Sequence, residues 1–212
     1  MTTAALVTAA GSGTRFGGLK QFEALRPGVR LVDAVIETCR PHVDWVGLLL
    51  PADVTWDGPP VDRVAAGGDS RHATLAIGVE LLPADHDHVV IHSASHPLAS
   101  AALVTTTLDA VRAGADAAVP LWQPPDVIKD GRSGTLRTVG REGFGLAQSP
   151  MAFRRRALID GLAAANNATE ESALVERAGG TVVAVDGEAT NVHVIDRLTL
   201  AMARAIAVMG PA

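Results

Sequence analysis

Residues 4–22 read AALVTAAGSGTRFGGLKQF, an apolar β-type run from Ala4 to Thr8 that breaks at once into a loop with four glycines and two cations. Gly11, Gly13, Gly17 and Gly18 supply backbone that can come close to a ligand, while Arg15 and Lys20 supply positive charge. A triphosphate needs both features. Exposed backbone N–H groups donate to its oxygens, and cations offset the charge that accumulates as the α-phosphorus is attacked. The spacing fits neither a P-loop nor the dinucleotide fingerprint, because no Gly-Lys-Ser/Thr ending follows and no third glycine stands at the right offset. A plain strand-to-helix turn is the bland alternative. Lysine usage leans against it: of 18 basic residues only Lys20 and Lys129 are lysines, which hints that a compact point charge is required at Lys20.

Outward from this loop, short β-type runs alternate with helical patterns through Leu31–Cys39, Trp45–Leu50, Arg63–Ala66 and Arg71–Leu82. Buried strands are expected at Val89–Ile91 and Ala117–Val119, with a helix at Ser100–Ala113 between them. Such alternation predicts an α/β fold: three layers, Rossmann-like, with a mostly parallel sheet covered on both faces. From Pro120 to Val139 the pattern changes to two short strand-like pieces, Val127–Lys129 and Thr135–Thr138, around a turn at Asp130 and Gly131, which reads as a projecting β-arm. Helices are expected at Arg154–Ala165 and Glu170–Ala178, then a strand at Thr181–Val185 and a last helix capped by Asp196. Residues 1–212 are read as one domain. Open α/β sheets bind ligands beyond the carboxyl ends of their strands, so the loops at Ala9–Gly18, Gly67–Ser70, His92–Pro97 and after Pro120 are where a site belongs.

A formal net charge of -5 offers no general attraction to phosphate backbones or anionic membranes, so nucleic acid and membrane are not expected partners. The lone Cys39, in an apolar helical pattern, reads as core filling. The N-terminus lacks a basic segment before its apolar run, and no apolar run approaches the roughly 20 residues of a bilayer span. A cytoplasmic protein is expected. His86, His88, His92 and His96, with Asp85 and Asp87, have the composition of a transition-metal site. A strand at His88–Ile91 would hold His86 and His96 too far apart, and a solvated loop entering a strand is the simpler reading. Trp45, Trp56 and Trp122 are expected to pack in the core or the arm.

The run Ala9, Ala10, Gly11, Gly13, Arg15, Lys20, Gln21 resembles the N-terminal signature of the 2-C-methyl-D-erythritol 4-phosphate cytidylyltransferases, nucleotidyltransferases with a glycosyltransferase-A-like fold. Residues 66–74, AGGDSRHAT, and the tail from Gly187 to Ala203 are similar to further motifs of that family, so the likeness covers nearly the whole chain. The resemblance implies transfer of CMP from CTP to methylerythritol phosphate with release of pyrophosphate, in the non-mevalonate route to isoprenoid precursors. It implies a homodimer built by exchanged arms at about residues 120–140, and Mg2+ as cofactor. Carried over by position, Arg15 and Lys20 are the catalytic charge stabilisers. Ala9, Ala10, Gly11, Ser12 and Gly13 hold the triphosphate, and Gly68, Asp69 and Thr74 surround the base. Arg71 lies in the same motif, and Arg141 matches an arm arginine that meets the acceptor phosphate.

The family's His-Asp-Ala-Ala-Arg-Pro loop reads His92, Ser93, Ala94, Ser95, His96, Pro97 here, so Ser93 stands where an aspartate holds the metal and His96 where an arginine meets the acceptor. A hydroxyl is a poorer ligand than a carboxylate for a hard cation. The family's Asp-Asn-Ile-Lys-Val-Thr becomes Thr190 to Ile195, with His193 in place of the lysine, and its Thr-Asp-Glu-Ala becomes Ala168, Thr169, Glu170, Glu171. Three readings stay open. One is a working cytidylyltransferase with compensating ligands, for which Asp126, Glu170 and Glu171 are spare carboxylates. Another is a transferase for a different phosphorylated acceptor, in which His96 and His193 replace phosphate-binding cations. The third is an impaired or inactive paralogue that binds nucleotide or acts through an interface.

Overall fold

A computed structural model describes residues 2–164 and 170–209. In chain order the elements are β1 (Thr3–Thr8), a 3-10 turn (Lys20–Phe22), β2 (Ala24–Arg26), β3 (Val29–Arg30), α1 (Leu31–Cys39), β4 (Trp45–Leu50), β5 (Arg63–Ala66), α2 (Arg71–Leu81) and β6 (His88–Ser93). There follow α3 (Ala101–Arg112), β7 (Ala117–Trp122), β8 (Ile128–Asp130), β9 (Arg137–Val139), β10 (Leu146–Ala147) and β11 (Met151–Arg154). The chain ends with α4 (Arg155–Ala164), α5 (Ser172–Arg177), β12 (Val182–Asp186) and α6 (Arg197–Met209).

Eight strands form one sheet in the order β10-β7-β11-β6-β1-β4-β5, with β12 on β7. The pairs β1–β6, β1–β4, β4–β5 and β7–β12 are parallel, and β10 and β11 run against their neighbours. The inner strands are mostly apolar because both faces are covered, although β6 also carries His88 and His92. On one face Val7, Val46 and Val90 meet Val32 and Ile36 of α1 and Leu108 of α3. On the other, Leu6, Ile91 and Phe153 meet Leu75 of α2, Leu158 of α4 and Val175 of α5. The expected three-layer α/β architecture is present. Helix starts follow their capping residues: Ser70 Oγ accepts from Ala73 N at 3.0 Å, Ser100 Oγ from Leu103 N at 3.1 Å, and Asp196 Oδ1 from Thr199 N at 2.8 Å.

Three expectations need correction. The arm starts later than Pro120, because β7 continues to Trp122: Pro120 and Leu121 pair with Val185 and Asp186 of β12, so a proline that reads as a strand breaker is carried in the sheet. The β8–β9 hairpin then stands as a separate two-stranded sheet. The strand β11, between β6 and β7, is absent from the sequence reading, since its four residues Met-Ala-Phe-Arg carry no alternation. Finally, the histidines are not in a solvated loop. His86, His88, His92 and His96 are each at least nine-tenths buried, and the length of β6 puts His86 and His88 at one end of the sheet and His92 and His96 at the other. Cys39 is fully buried, and burial pushes its thiol up to about 12. No helix among the described residues is long and apolar enough to cross a membrane.

Phe153 is fully buried on the antiparallel strand that joins β6 to β7. Phe153→Ala is expected to destabilise the protein by about 3–5 kcal/mol in urea unfolding, with the denaturant slope unchanged.

Candidate active site

The carboxyl ends of β1, β6 and β5 lie on one side of the sheet, and the loops leaving them form the walls of two adjoining cavities. Thr8 and Ser93 are the paired last residues of β1 and β6. The larger cavity, about 360 Å³, is walled by Ala10, Gly11 and Ser12 on one side and by Gly68, Asp69 and Thr74 on the other. The smaller, about 180 Å³, is walled by Ser93, His96, Ser149, Glu170 and His193. Thr8, Arg71 and Glu171 line both.

The glycine loop owes its shape to Gly13, whose φ of +64 aims its carbonyl back at the loop so that it accepts from the amides of Phe16, Gly17 and Gly18. A Cβ on Gly13 would stand 1.8 Å from the Gly18 oxygen, so no side chain is tolerated there. The loop is anchored by Phe16, buried with Leu25, Leu31, Val194 and Leu200, and covered by the Arg197 guanidinium 4.2 Å from its ring centre. Gln21 Nε2 ties the loop to Gly11 O at 3.1 Å. The opposite wall is as close-fitted: Gly68 N donates to Thr74 Oγ1 at 3.1 Å, and a Cβ on Gly67 would meet the Ala10 Cβ at 2.3 Å. Of the residues expected around a nucleotide, six line the larger cavity, while buried Ala9 and Gly13 shape the loop from behind.

Lys20 donates to Val194 O at 2.6 Å, which joins the glycine loop to the C-terminal tail. Partial burial lowers its pKa below the ordinary lysine value, and the neighbouring charges of Arg15 and Arg71 lower it further. Lys20 and Arg15 line neither cavity, but Lys20 feels both Arg15 and Arg71, and Arg71 lines both cavities, an arrangement that a polyanion would relieve. Arg15 is exposed and has neither hydrogen bond nor ion pair among the described residues.

The smaller cavity is built on Ser149, whose hydroxyl accepts from Ser93 N at 3.2 Å and lies 3.1 Å from His92 Nδ1 and 3.3 Å from His96 Nδ1. The His96 and His193 rings are stacked with centroids 4.5 Å apart. Burial pulls His92 down to about 3, and burial together with nearby positive charge takes His96 to about 2 and His193 to about 4. The shifts favour the neutral imidazole in all three, so His96 and His193 do not supply the ligand-free site with the cations that the different-acceptor reading places there. Arg141 lines neither cavity; it is exposed on the arm and donates to Pro125 O.

Among the described residues no three His, Cys, Asp or Glu side chains cluster as a metal cage. Ser93 offers only a hydroxyl, already accepting from Ser95 N at 3.2 Å. Asp126 is exposed on the arm, but Glu170 and Glu171 both face the smaller cavity, and Glu170 Oε2 is buried without a partner. Two carboxylates suit a hard cation such as Mg2+ that draws its remaining ligands from substrate phosphates and water. Ala168 and Thr169 lie outside the described residues. Arg71, Thr8 and Ser149 carry much of the site, and sequence reading assigned none of them a role. Arg71 stood inside a recognised motif, whereas Thr8 and Ser149 carry no motif.

The chain matches known proteins along nearly all its length. The family description 2-C-methyl-D-erythritol 4-phosphate cytidylyltransferase matches residues 3–209. Enzymes of that name from Chromobacterium violaceum and Rubrobacter xylanophilus are each 36% identical to it; the alignments cover 95% of this chain and 96% and 93% of theirs. The crystal structure of the Thermus thermophilus protein of the same name superposes with a TM-score of 0.84 at 28% identity, over 98% of this chain and 100% of that one. With fold, glycine loop and tail all colinear with these proteins, the chain belongs to the 2-C-methyl-D-erythritol 4-phosphate cytidylyltransferase family.

Proposed function

We propose that the protein transfers the cytidylyl group of CTP to 2-C-methyl-D-erythritol 4-phosphate and releases pyrophosphate. The observation that carries this reading is the larger cavity, in which the glycine loop and the Gly68–Thr74 wall face each other beside Lys20, Arg15 and Arg71. The cavity suits a nucleotide whose base lies against Gly68, Asp69 and Thr74 and whose phosphates follow Ala10, Gly11 and Ser12 towards Lys20. An oxygen of the acceptor phosphate attacks the α-phosphorus in line. The P–O bond to the β-phosphate breaks, and the electron pair leaves on pyrophosphate. Lys20 and Arg15 offset the charge that accumulates on the departing oxygens. Mg2+, when bound, would neutralise phosphate charge, and Glu170 and Glu171 are the carboxylates at the smaller cavity that would hold it better than the Ser93 hydroxyl.

The acceptor belongs in the smaller cavity, next to the α-phosphorus. With His96 and His193 neutral, they offer its phosphate hydrogen bonds and not charge. Arg71 already lines this cavity, and Arg141 is the candidate for a second cation. Val127 and Leu136 of the arm, with Phe144 and Leu146 on the segment that returns from it to the main sheet, are each more than half exposed and offer an apolar surface that a second copy would cover. In such a homodimer each arm would bring its Arg141 to the other subunit's acceptor cavity.

Lys20→Ala is expected to lower kcat/KM for pyrophosphate release by about 10²–10³-fold, with thermal stability nearly unchanged. Undiminished turnover would remove Lys20 from the mechanism. Gly13→Ala, which cannot keep the loop closed on the Gly18 oxygen, is expected to weaken CTP binding in calorimetric titration by about tenfold or more while the unfolding midpoint moves little.

A further inference from the structure

Glu171 is a costly residue for this site. Its side chain is only 10% exposed and faces both cavities, yet its one side-chain bond among the described residues is a long contact of 3.4 Å to Arg71, itself 54% exposed. If the triphosphate lies along Gly11 and Ser12, this carboxylate faces phosphate oxygens across a confined cavity. Like charges repel there more strongly than in water, and a single mobile arginine does not cancel several phosphate charges. A divalent cation between the carboxylate and the phosphates turns that repulsion into attraction. The position also makes chemical sense of Ser93. The acidic group missing at Ser93 and the acidic group present at Glu171 face the same small cavity.

We propose that Glu171 is the carboxylate ligand of the divalent cation that enters with the nucleotide, in place of the aspartate that position 93 lacks. Glu170 supports the ion from the side. Its Oε1 accepts from Ser172 Oγ and from Ala173 N at 3.1 Å, which fixes the carboxylate, and its unpartnered Oε2 is left to accept from water on the ion. Arg71 then acts as a stand-in for the cation in the ligand-free protein and swings to the phosphates when the ion arrives. This assignment rests on the larger cavity being the triphosphate site.

The test is CTP binding by calorimetry with and without Mn2+, and Mn2+ uptake by electron paramagnetic resonance, in the wild type, Glu171→Gln and the double variant Ser93→Asp/Glu171→Gln. Mn2+ is expected to tighten CTP binding to the wild type by about tenfold or more. In Glu171→Gln that coupling is expected to vanish, while metal-free CTP binds as well as before or better, since the repulsion is gone. Ser93→Asp in the same background restores the coupling by returning a carboxylate to the cavity. Retention of full Mn2+ coupling in Glu171→Gln overturns the assignment, as does CTP binding by the wild type that is indifferent to Mn2+. A wild type that binds no CTP under either condition overturns the triphosphate reading and the metal assignment together. If Glu171→Gln does not fold, Glu171→Asp decides: an unchanged Mn2+ signal in the ternary complex counts against a direct ligand.

Discussion

The site depends on the register in which β1 pairs with β6, because it sets Thr8 opposite Ser93 and releases two loops from the sheet at the same level. Each loop begins with one more backbone bond to a neighbouring strand end: Ala94 N donates to Thr8 O at 3.0 Å, Ala9 N to Leu49 O at 2.9 Å and Gly67 N to Leu50 O at 2.8 Å. The loops therefore start as continuations of the ladder and inherit its rigidity. A slip of one residue would carry Leu6 and Ile91 to the opposite face and expel His92 from beneath the smaller cavity, so the packing of both helical layers holds the register. Site geometry is in this sense a by-product of core packing.

On that frame the charges are arranged to be satisfied by a ligand and not by one another. Lys20, Arg15 and Arg71 crowd together, and the fall in the Lys20 pKa reflects that crowding as well as burial. The histidines take the opposite course. His92 and His96 give up their charge to burial, and Ser149 meets the Nδ1 of each. Arg71 and Glu171 line both cavities, Asp69 adds a carboxylate to the larger and Glu170 one to the smaller, and Lys20 and Arg15 stand near Arg71 outside both linings. A polyanion and a counter-ion that arrive together fit this arrangement better than either alone.

Much of the fold was legible because parallel strands covered on both faces must be apolar throughout, and runs such as Trp45–Leu50 and Val89–Ile91 have few other uses. Helix starts at Ser70, Ser100 and Asp196 carried their own capping chemistry. What escaped was settled by partners distant in sequence. Four residues at Met151–Arg154 become a strand only because β6 and β7 leave a gap between them, and Pro120 stays in β7 because β12 pairs alongside it. The glycine loop was readable as a site because glycines and cations adjoin in the chain. The Arg71–Glu171 contact spans 100 residues, and nothing local in either segment announces it. The burial of the histidines was equally hidden, since the same residues in a loop would be solvated.

The two halves of the site differ in how they can change. Much of the larger cavity's wall is backbone, and a Cβ added at Gly13 or Gly67 would stand 1.8 Å from the Gly18 oxygen or 2.3 Å from the Ala10 Cβ. No other position in the sequence can substitute for a backbone amide aimed in that direction. The smaller cavity is walled largely by the ends of side chains, and at about 180 Å³ it is small enough that a carboxylate from Ser93's position or from Glu171's reaches the same space. Charge can therefore migrate between wall residues without rebuilding the wall. That asymmetry accounts for a chain in which the glycine loop keeps the family pattern while Ser93, His96 and His193 do not.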